Sequence, residues 1–558
     1  MNQRAQWKIL PSVPGEYLNA SDLSPLIAQL LYNRGVKPEE IELFLSADRR
    51  LEGNPLLLPD ISQAVSRVYK AVLSREKIAV YGDFDVDGVT ATVILVEGLS
   101  WLGAEVIPYI PDRFNEGHGL KISALEKLQS QGANLVITVD CGVTDLTEVK
   151  QAREMGIDVI ITDHHIPLGN LPQAVAVIDP KRKDSIYPYP DLAGAGVAFK
   201  FLQALFHKDG REKWLAKFLD LVVLATVTDL VTLVGENRYL VQEGLRELNN
   251  SSRVGIQEMV KLARLKPGEL DAKDISWILG PRLNAAGRMD NASTSYQLLT
   301  TQSPEEARLQ ALELEERNAE RQKLTKEVLS RAREKLAAKL HLPVLIEGDE
   351  SYSIGVIGLV AGKLADEFYK PVIIISLGPE LCQGSCRSIA EFNIASALAE
   401  CHNLLTTFGG HPLAAGFTVT RERQKLTKEV LSRAREKLAA KLHLPVLIEG
   451  DESYSIGVIG LVAGKLADEF YKPVIIISLG PELCQGSCRS IAEFNIASAL
   501  AECHNLLTTF GGHPLAAGFT VTRERQKLTK EVLSRAREKL AAKLHLPVLI
   551  EGDESYSI

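Results

Sequence analysis

Aspartates and histidines follow several apolar segments of this chain, at the points where those segments end. When acids follow neighbouring parallel strands, they converge in the crevice outside the carboxyl ends of the sheet. Converging carboxylates repel one another, so a positive group is expected among them. The residues in question come from the segments IAVYGDFDVDG, LVITVDCG, VIITDHH and LVVLATVTD, and they are Asp83, Asp85, Asp87, Asp140, Asp163, His164, His165 and Asp229.

A metal centre is the chemistry that this set of side chains favours. Many oxygen ligands with an imidazole suit manganese or magnesium better than zinc, which prefers cysteine and histidine. Two ions bridged by one carboxylate would clamp a phosphate and activate a water molecule. The alternative is that acids after strands act as helix N-caps or turn formers, which is the ordinary interpretation of a single such aspartate. The whole set, with two histidines directly after Asp163, favours the metal centre.

The elements that must position these residues are predicted from hydrophobic patterning. From Lys77 onward, short apolar runs alternate with amphipathic segments. We therefore expect strands near 78–81, 105–110, 135–139, 158–161 and 174–178, separated by helices. Such alternation is typical of a parallel, doubly wound α/β sheet. Residues 1–60 are predicted to form short helices before it.

A long helix is predicted after this α/β region. Ser303 and Pro304 resemble an N-cap and a first helical position, and neither proline nor glycine follows through Leu340. At 1.5 Å per residue this helix would be about 55 Å long. The segments PVLIEGD, GVIGLVAGKLADEF, PVIIIS and FGGHPLAAGFTVT then predict a smaller α/β domain at 341–421. The long helix would tether the two domains across a cleft.

The C-terminal part of the chain is an internal repeat. Residues 320–421 recur without a change as residues 422–523, and a third copy begins at 524 and stops at 558. Identity of this extent indicates a very recent duplication or an error of sequence assembly, and we favour the second explanation. If translated, the second copy should fold as another small domain, its first helix closing the first small domain. The strand of the third copy would lack its sheet, so 545–558 should fray or aggregate.

Composition limits the classes of function and location. The 558 residues carry a net charge of −8, so contacts with nucleic acid must come from local clusters of arginine and lysine. Seven cysteines without a paired framework fit a reducing compartment. The sequence shows neither a signal-peptide pattern nor a membrane-spanning segment, so we expect a cytoplasmic protein with no membrane partner.

A zinc site is a weak alternative in the small domain. It would use Cys382, Cys386, Cys401 and His402, but their spacing matches no common zinc motif. Small buried thiols are ordinary in protein cores. We therefore interpret these cysteines as core residues.

The acid-bearing motifs carry a family resemblance. DFDVDG, TVDCG, DHH and ATVTD resemble, in order and spacing, the successive motifs of the DHH phosphoesterases. PDRFNEGHGL, LAGAGVAFKF, GPRLNAAGRMDNA and FGGHPLAAGFTV further resemble the RecJ exonucleases, and the similarity covers most of residues 60–420. The resemblance implies a DHH catalytic domain at 61–302, a connecting helix at 303–340 and a DHH-associated substrate-binding domain at 341–421. The repeat adds an identical copy of 320–421 at 422–523 and a truncated third copy at 524–558.

The same resemblance implies roles for the site residues. The implied metal ligands are Asp83, Asp85, Asp140, His164 and Asp229, with Asp140 as the bridge between two manganese or magnesium ions. His165 would contact the scissile phosphate, while Asp87 and Asp163 would orient other site residues.

Further residues are candidates for contacts to substrate. Arg282 and Arg288, with Asn284 between them, could make bidentate contacts to phosphates, although an isolated arginine there would more often be a surface or structural residue. In the small domain, Arg387 and Ser388 lie in a segment that resembles the phosphate-contacting strand of the family. Gly410 and His411 stand in a glycine-rich segment that would let the backbone approach a nucleic-acid end.

The activity implied by the resemblance is 5′-to-3′ hydrolysis of single-stranded DNA by two metal ions, in DNA repair and recombination, with single-strand-binding protein and a helicase as partners. One alternative is a DHH phosphoesterase for short oligonucleotides, nucleotide phosphates or pyrophosphate; another is a non-catalytic replication scaffold. Two departures stand out. Tyr352 and Ser353 occupy positions where many RecJ proteins have Trp and His, and the repeat stands where an OB-fold usually follows, so we expect weaker affinity and processivity.

Overall fold

The carboxyl ends of five parallel strands support the acid-bearing loops of this chain. The computed structural model describes residues 9–19, 23–167, 169–207, 209–502 and 504–522, so the third repeat copy and its expected fraying lie outside the described residues. The chain divides into two compact units, Met1–Glu327 and Val328–Ile558. Within the described ranges, every helix is too short or too polar to cross a membrane.

The sheet of the first unit confirms the predicted parallel α/β architecture. Its strand order is β2-β1-β3-β4-β5, and all four pairings are parallel. Because β1 pairs with β2 on one side and β3 on the other, the direction in which successive strands are added to the sheet reverses between β1 and β3, which creates a crevice at that point of the edge. The strands are β1 Lys77–Tyr81, β2 Glu105–Tyr109, β3 Ala133–Val139, β4 Asp158–Thr162 and β5 Ala176–Ile178.

Both faces of this sheet are buried, as a doubly wound sheet requires. In β1, Ile78 and Val80 belong to one core cluster, while Ala79 and Tyr81 belong to another. Alternate residues of a strand point to opposite faces, so the two clusters are the two sides of one sheet. Helices cover both sides, which leaves the edge at the strand ends for function.

Helices account for most of the rest of the first unit, and the predicted N-terminal helices are present. One apolar run that ends in an acid, LVVLATVTD, forms the helix α9 followed by Asp229 rather than a strand. Its β-branched residues favour a strand locally, but all but the last of its residues are buried, so the helix has no polar face to reveal it. The helices are α1 Gly15–Asn19, α2 Pro25–Asn33, α3 Ile41–Ser46, α4 Ile61–Ser74, α5 Val86–Trp101, α6 Ile122–Ser130, α7 Leu146–Glu154, α8 Gly194–Leu205, α9 Leu219–Thr228, α10 Gly235–Asn249, α11 Val254–Leu262, α12 Ala272–Asp274, α13 Gly280–Met289 and α14 Ser293–Thr300.

The predicted long helix is one element. It is α15, Pro304–Ala337, with 34 residues, or about 51 Å of length at 1.5 Å per residue. Ser303 precedes it, and the Ser303 hydroxyl accepts a hydrogen bond from the Glu306 backbone N–H at 3.3 Å. The helix therefore begins where its capping residues predict and ends three residues before the expected position.

The second unit contains two five-stranded mixed sheets of the same topology, one for each complete copy of the repeat. The first has the order β6-β7-β8-β10-β9 and the second β11-β12-β13-β15-β14, with only the first two strands of each parallel. The second copy thus folds as expected. The strands are β6 Leu345–Asp349, β7 Val372–Leu377, β8 Leu381–Arg387, β9 Thr407–His411, β10 Ala414–Thr420, β11 Leu447–Asp451, β12 Val474–Leu479, β13 Leu483–Arg489, β14 Thr509–His513 and β15 Ala516–Thr522; the helices are α16 Ile354–Phe368, α17 Ile394–Glu400, α18 Arg421–Ala439, α19 Ile456–Phe470 and α20 Ile496–Glu502.

Helix α18 corrects one expectation about the repeat. We expected it to close the first small domain, but its apolar residues Val430, Ala434 and Leu438 belong to the core cluster of the second copy. Its first residue still contacts the first copy, because the Arg421 backbone N–H donates to the Glu380 carbonyl at 2.7 Å. The apolar stripe decides the packing, since burial of several aliphatic side chains outweighs one hydrogen bond.

Candidate metal centre

The first carboxylates follow β1 in a tight loop. Asp83 is buried, and Asp85 caps α5 by accepting a hydrogen bond from the Gly88 backbone N–H at 3.0 Å. A Cβ on Gly88 would lie 2.6 Å from the Asp83 backbone nitrogen, so only glycine lets the loop fold back onto the helix. Burial and the charge of Asp83 raise the pKa of Asp85. Both aspartates therefore lie at the crevice predicted from their position after β1.

Asp140 follows β3 on the other side of the crevice. Its backbone has a φ of 59°, a left-handed conformation that asparagine and aspartate adopt more readily than most residues. Its Oδ1 lies 3.1 Å from Nε2 of His164. A Cβ on Gly194, at the start of α8, would lie 2.7 Å from the Asp140 Cβ. The absence of a side chain at Gly194 therefore makes room for this carboxylate.

The DHH triplet follows β4, and its aspartate organises the loop. Asp163 is buried and accepts hydrogen bonds from the backbone N–H groups of Val143, His164 and His165 at 2.9, 2.7 and 3.1 Å. Its Oδ1 also lies 2.8 Å from Nδ1 of His165. Burial lowers the pKa of His165, but the charge and hydrogen bond of Asp163 outweigh that effect and raise it to about 9. Asp163 thus contacts the backbone of both histidines and the ring of His165.

Asp87 and Asp229 complete the acidic set from two helices. The carboxylate of Asp87, in the first turn of α5, accepts hydrogen bonds from the backbone N–H groups of Gly194 and Ala195, each at 2.6 Å. One oxygen of Asp87 and one of Asp229 lie 3.7 and 3.8 Å from Nε2 of His164. Asp87 therefore links the start of α8 to the acidic cluster.

These side chains suit metal ions by position and by donor type. Three overlapping groups have ligand atoms within 4.8 Å of one another: Asp83, Asp85 and Asp140; Asp140, His164 and His165; and Asp87, His164 and Asp229. Oδ1 of Asp83 is buried and has no hydrogen-bond partner among the described residues. An acceptor buried in this state is costly unless a cation occupies the space beside it. Five carboxylates and imidazole nitrogen form the oxygen-rich set that suits manganese or magnesium.

The electrostatics of the cluster also require a positive partner. Burial, then the charges of Asp87, Asp85, Asp83 and Asp229, raise the pKa of Asp140 well above its usual value. Burial and the charge of Asp85 raise the pKa of Asp229 to about 7. A raised pKa means that these carboxylates give up their protons reluctantly in the protein alone. Cations bound beside them lower the pKa and so favour the charged form. The site is therefore built for bound metal.

Three residues near this centre were missed by the sequence analysis. Asp179 directly follows β5, is buried and has a pKa raised to about 7 by burial and by the charge of Asp163. Nδ1 of His118 lies 3.2 Å from Oδ2 of Asp83, and Arg113 stacks over Phe84 at 4.6 Å. The rule used for the other acids, that they follow a strand of the sheet, would have found Asp179. Arg113 and His118 lie in the PDRFNEGHGL motif, which was noted without assigning them roles.

The GPRLNAAGR segment forms α13 and packs against the first acidic loop. Oδ1 of Asn284 accepts a hydrogen bond from the Val86 backbone N–H at 3.1 Å. A Cβ on Gly287 would lie 2.2 Å from the Phe84 carbonyl oxygen, so the helix backbone touches the loop. Arg288 lies close enough to lower the pKa of Asp85, whereas Arg282 pairs with Glu315 at 2.6 Å. The segment therefore supports the acidic loop and places Arg288 beside it.

The candidate substrate residues of the second unit lie around β8 and the β9–β10 turn. Nη1 of Arg387 donates to the Cys386 carbonyl at 2.8 Å and contacts the Ser385 hydroxyl at 3.4 Å. The Ser388 hydroxyl donates to the Phe392 carbonyl at 2.6 Å. Gly410 has a φ of 138°, and His411 pairs with Ala414 across the hairpin.

The cysteines of the small domain behave as core residues. Cys382 and Cys386 are fully buried in β8, and burial raises the pKa of Cys386 to about 12. The groups suited to metal binding among the described residues contain only aspartate and histidine. The structure thus supports the core interpretation over a zinc site.

Comparison with known proteins agrees with this geometry. Residues 77–226 match the DHH family, N-terminal domain, and residues 337–443 and 442–544 each match the DHHA1 domain. The single-stranded-DNA-specific exonuclease RecJ of Bacillus subtilis is 39% identical over 72% of this chain and 51% of its own length. That of Salmonella typhimurium is 35% identical over 77% of each chain. The chain thus spans about half of the first relative and three quarters of the second.

Solved structures give the same relationship. A crystal structure of exonuclease RecJ bound to manganese is 33% identical, with a TM-score of 0.57, over 65% of this chain and 90% of that one. A RecJ structure from Thermus thermophilus in complex with Mn²⁺ is 27% identical, with a TM-score of 0.66, over 88% and 74% of the two chains. With its acidic centre at the switch point of a parallel sheet, this chain belongs to the DHH family and, within it, to the RecJ family.

Proposed function

We propose that this chain is a metal-dependent exonuclease that hydrolyses phosphodiester bonds of single-stranded DNA in the 5′-to-3′ direction. The observation that carries the proposal is the convergence of Asp83, Asp140 and His164 at the crevice between β1 and β3. Two relatives that are 39% and 35% identical to this chain are named single-stranded-DNA-specific exonucleases. A solved structure of exonuclease RecJ, 33% identical to this chain, holds manganese.

Two ions would be held by overlapping sets of side chains. Asp140 and His164 each belong to two of the three ligand groups, but only Asp140 has two carboxylate oxygens to offer, so it is the residue suited to bridge the ions. Asp83 and Asp85 extend the set on one side, and His164 and Asp229 extend it on the other. Bound manganese or magnesium supplies an activated water molecule and neutralises the charge on the phosphate.

The remaining site residues position these ligands and the substrate. Asp163 holds the ring of His165 through Nδ1, and the two histidine rings lie 4.7 Å apart between centroids. We assign His165 to a contact with the scissile phosphate, because its partner Asp163 fixes the ring beside the proposed metal ligand His164. Asp87 anchors the start of α8, where Gly194 leaves room for Asp140.

Contacts to the DNA backbone would come from local cations, because the whole chain carries a charge of −8. Arg113 and Arg288 both interact electrostatically with the carboxylate of Asp85, so they lie beside the centre. Arg282 and Asn284 share the helix of Arg288, and we assign them to holding that helix against the acidic loop and Glu315 as well as to the substrate path. Arg387, Ser388, Gly410 and His411 are the proposed contacts of the second unit.

The substrate class also suggests the setting of the enzyme. Single-stranded DNA of repair and recombination is produced by helicases and coated by single-strand-binding protein, so we propose both as partners. We further propose a cytoplasmic location, supported by the few cysteines and the absence of a disulfide framework in the sequence.

Hydrolysis of labelled oligonucleotides tests the proposal. A 5′-phosphorylated thirty-nucleotide strand with a 3′ label should shorten from its 5′ end in Mn²⁺, and EDTA should abolish the reaction. A blunt duplex and inorganic pyrophosphate should be hydrolysed far more slowly. Preferential release of phosphate from pyrophosphate would contradict the proposed substrate. Shortening from the 3′ end would contradict the proposed direction, and full activity in EDTA would contradict the metal dependence.

A further inference from the structure

A groove lined mainly by apolar side chains lies beside Asp229 and is not part of the metal-binding set. It holds about 300 Å³ and is formed by the end of α9, the loop after it, α12 and the turn that follows α12. Val227, Leu230 and Leu233 line one side, and Lys273 and Trp277 line the other. Because Leu230 directly follows Asp229 in the chain, the groove adjoins the metal centre.

Trp277 is displayed to solvent on a rigid support. It lies in the single π-helical turn Ile275–Leu279, a rare geometry that often marks functional sites. Ile275 and Leu279 are fully buried in the core, whereas Trp277 is 78% exposed. Across the groove, Leu230 is 79% exposed and has a φ of 60°, which is unfavourable for a residue other than glycine, asparagine or aspartate. A fixed backbone thus holds two large apolar side chains in water.

The chemistry of the groove fits the bases of a single strand. A flat indole and an aliphatic floor suit stacking of a base, and the ammonium of Lys273 on the same rim suits a backbone phosphate. A stable protein interface buries about 1,200–2,000 Å² in total, far more than a groove of this size offers. The position of the groove next to Asp229 also favours a single strand of nucleic acid as its occupant. When one phosphate of the strand is bound at the metal centre, the neighbouring nucleotides must lie close by.

We propose that Trp277 is a base-stacking residue that, with Leu230 and Lys273, holds a nucleotide of the single strand next to the metal centre. This inference rests on the proposed function, because it assumes that a strand of nucleic acid enters the centre. Stacking does not depend on base identity, since every base has a flat face. The groove therefore adds affinity for single strands without adding sequence preference.

Binding measurements with matched variants test the proposal. The probe is an oligothymidylate with a phosphorothioate backbone, chosen because that backbone resists hydrolysis. Its binding in Mn²⁺ is followed by fluorescence anisotropy. Trp277→Ala should raise the Kd by about 5- to 150-fold, the range expected for loss of one stacked base, while Trp277→Phe should stay within about threefold of wild type. Leu73→Ala, at an 84% exposed leucine on α4, is the control for loss of an exposed apolar side chain and should bind normally.

Two further measurements separate stacking from damage to the centre. A series of oligonucleotides, each lacking the base at one position, should be compared for binding. At one position, loss of the base should weaken binding by wild type but not binding by Trp277→Ala. Hydrolysis of the p-nitrophenyl ester of thymidine 5′-monophosphate, which has no neighbouring base to stack, should be equal in wild type and Trp277→Ala.

The outcomes distinguish this inference from the function on which it rests. If wild type degrades single strands but Trp277→Ala binds them normally, the stacking role is wrong and the groove serves another partner. The same conclusion follows if every abasic position that weakens binding by wild type also weakens binding by Trp277→Ala. If Trp277→Ala loses ester hydrolysis as well, the tryptophan supports the centre and does not stack. If wild type neither binds nor degrades single-stranded DNA, the proposed function and this inference both fail.

Discussion

Asp140 is the residue on which the largest number of site features converge. It is shared by two ligand groups, contacts His164 at 3.1 Å and has a left-handed backbone. The sequence analysis placed it correctly after β3, because position at the end of an apolar strand is a local property. The backbone conformation and the glycine that faces it could not be predicted, since they depend on how α8 packs at the strand end.

Replacement of Asp140 should remove turnover. Asp140→Asn keeps the size of the side chain and tolerates the φ of 59°, so the loss will report charge rather than strain. We expect kcat to fall by more than about 100-fold, since even residues that only orient metal ligands change activity by about 10- to 100-fold. Calorimetry should show weaker Mn²⁺ binding in parallel. Asp158→Asn, at the opposite end of β4, is the matched control, and near-normal turnover by Asp140→Asn would exclude it from the centre.

Asp163 should act through the histidines rather than through the metal. In Asp163→Asn, an amide replaces a carboxylate that accepts four hydrogen bonds at most 3.1 Å long, so one N–H group of the loop must face another donor. We expect kcat to fall by about 10- to 100-fold. Mn²⁺ affinity should fall less than in Asp140→Asn. Asp145→Asn provides the control, because it removes the charge of a partly buried carboxylate while its amide oxygen can still accept the hydrogen bond from the Leu120 backbone N–H. Equal losses of metal affinity in Asp163→Asn and Asp140→Asn would make Asp163 a direct ligand.

At the scale of elements, apolar runs predicted the sheet well because β1, β3, β4 and β5 are buried along most of their length. The same signal left α9 without an assignment, because burial of nearly every residue removes the amphipathic period that distinguishes a helix from a strand. It also failed to say which core α18 would join, since its sequence recurs in all copies of the repeat and the choice is made by tertiary packing. Elements were thus predictable from local pattern, and their packing partners were not.

The start of α8 offers a test of how elements shape the centre. A Cβ at Gly194 would lie 2.7 Å from the Asp140 Cβ, whereas a Cβ at Gly196 would make only ordinary contact, at 3.4 Å, with Leu192. Alanine is a better helix former than glycine by about 1 kcal/mol, so Gly196→Ala should be neutral or stabilising. Gly194→Ala should weaken Mn²⁺ binding and activity by at least about 10-fold despite the same propensity gain. Equal behaviour of the two variants would mean that Asp140 can move without loss.

At the scale of the whole molecule, one acidic centre is present together with two complete copies of the small domain. The acids between Asp83 and Asp229 occur once, whereas the strand that carries Arg387 recurs with the same local geometry at Arg489. Nη1 of each arginine donates to the carbonyl of the preceding cysteine, at 2.8 and 2.9 Å. The local structure around these arginines therefore does not show which copy binds substrate. The connection of each copy to the acidic unit must decide.

The first copy is the one joined to the acidic unit through α15, so it should supply the substrate contacts. We expect Arg387→Ala combined with His411→Ala to reduce exonuclease activity on single strands by at least about 10-fold, because charged contacts to phosphate are lost. Arg489→Ala combined with His513→Ala removes identical side chains from the second copy and should leave activity within about twofold of wild type. Thermal unfolding should show that both double variants remain folded, because each substitution shortens a side chain that is at least partly exposed. A larger loss from the second pair would assign substrate binding to the second copy, and equal losses would mean that both copies hold the strand.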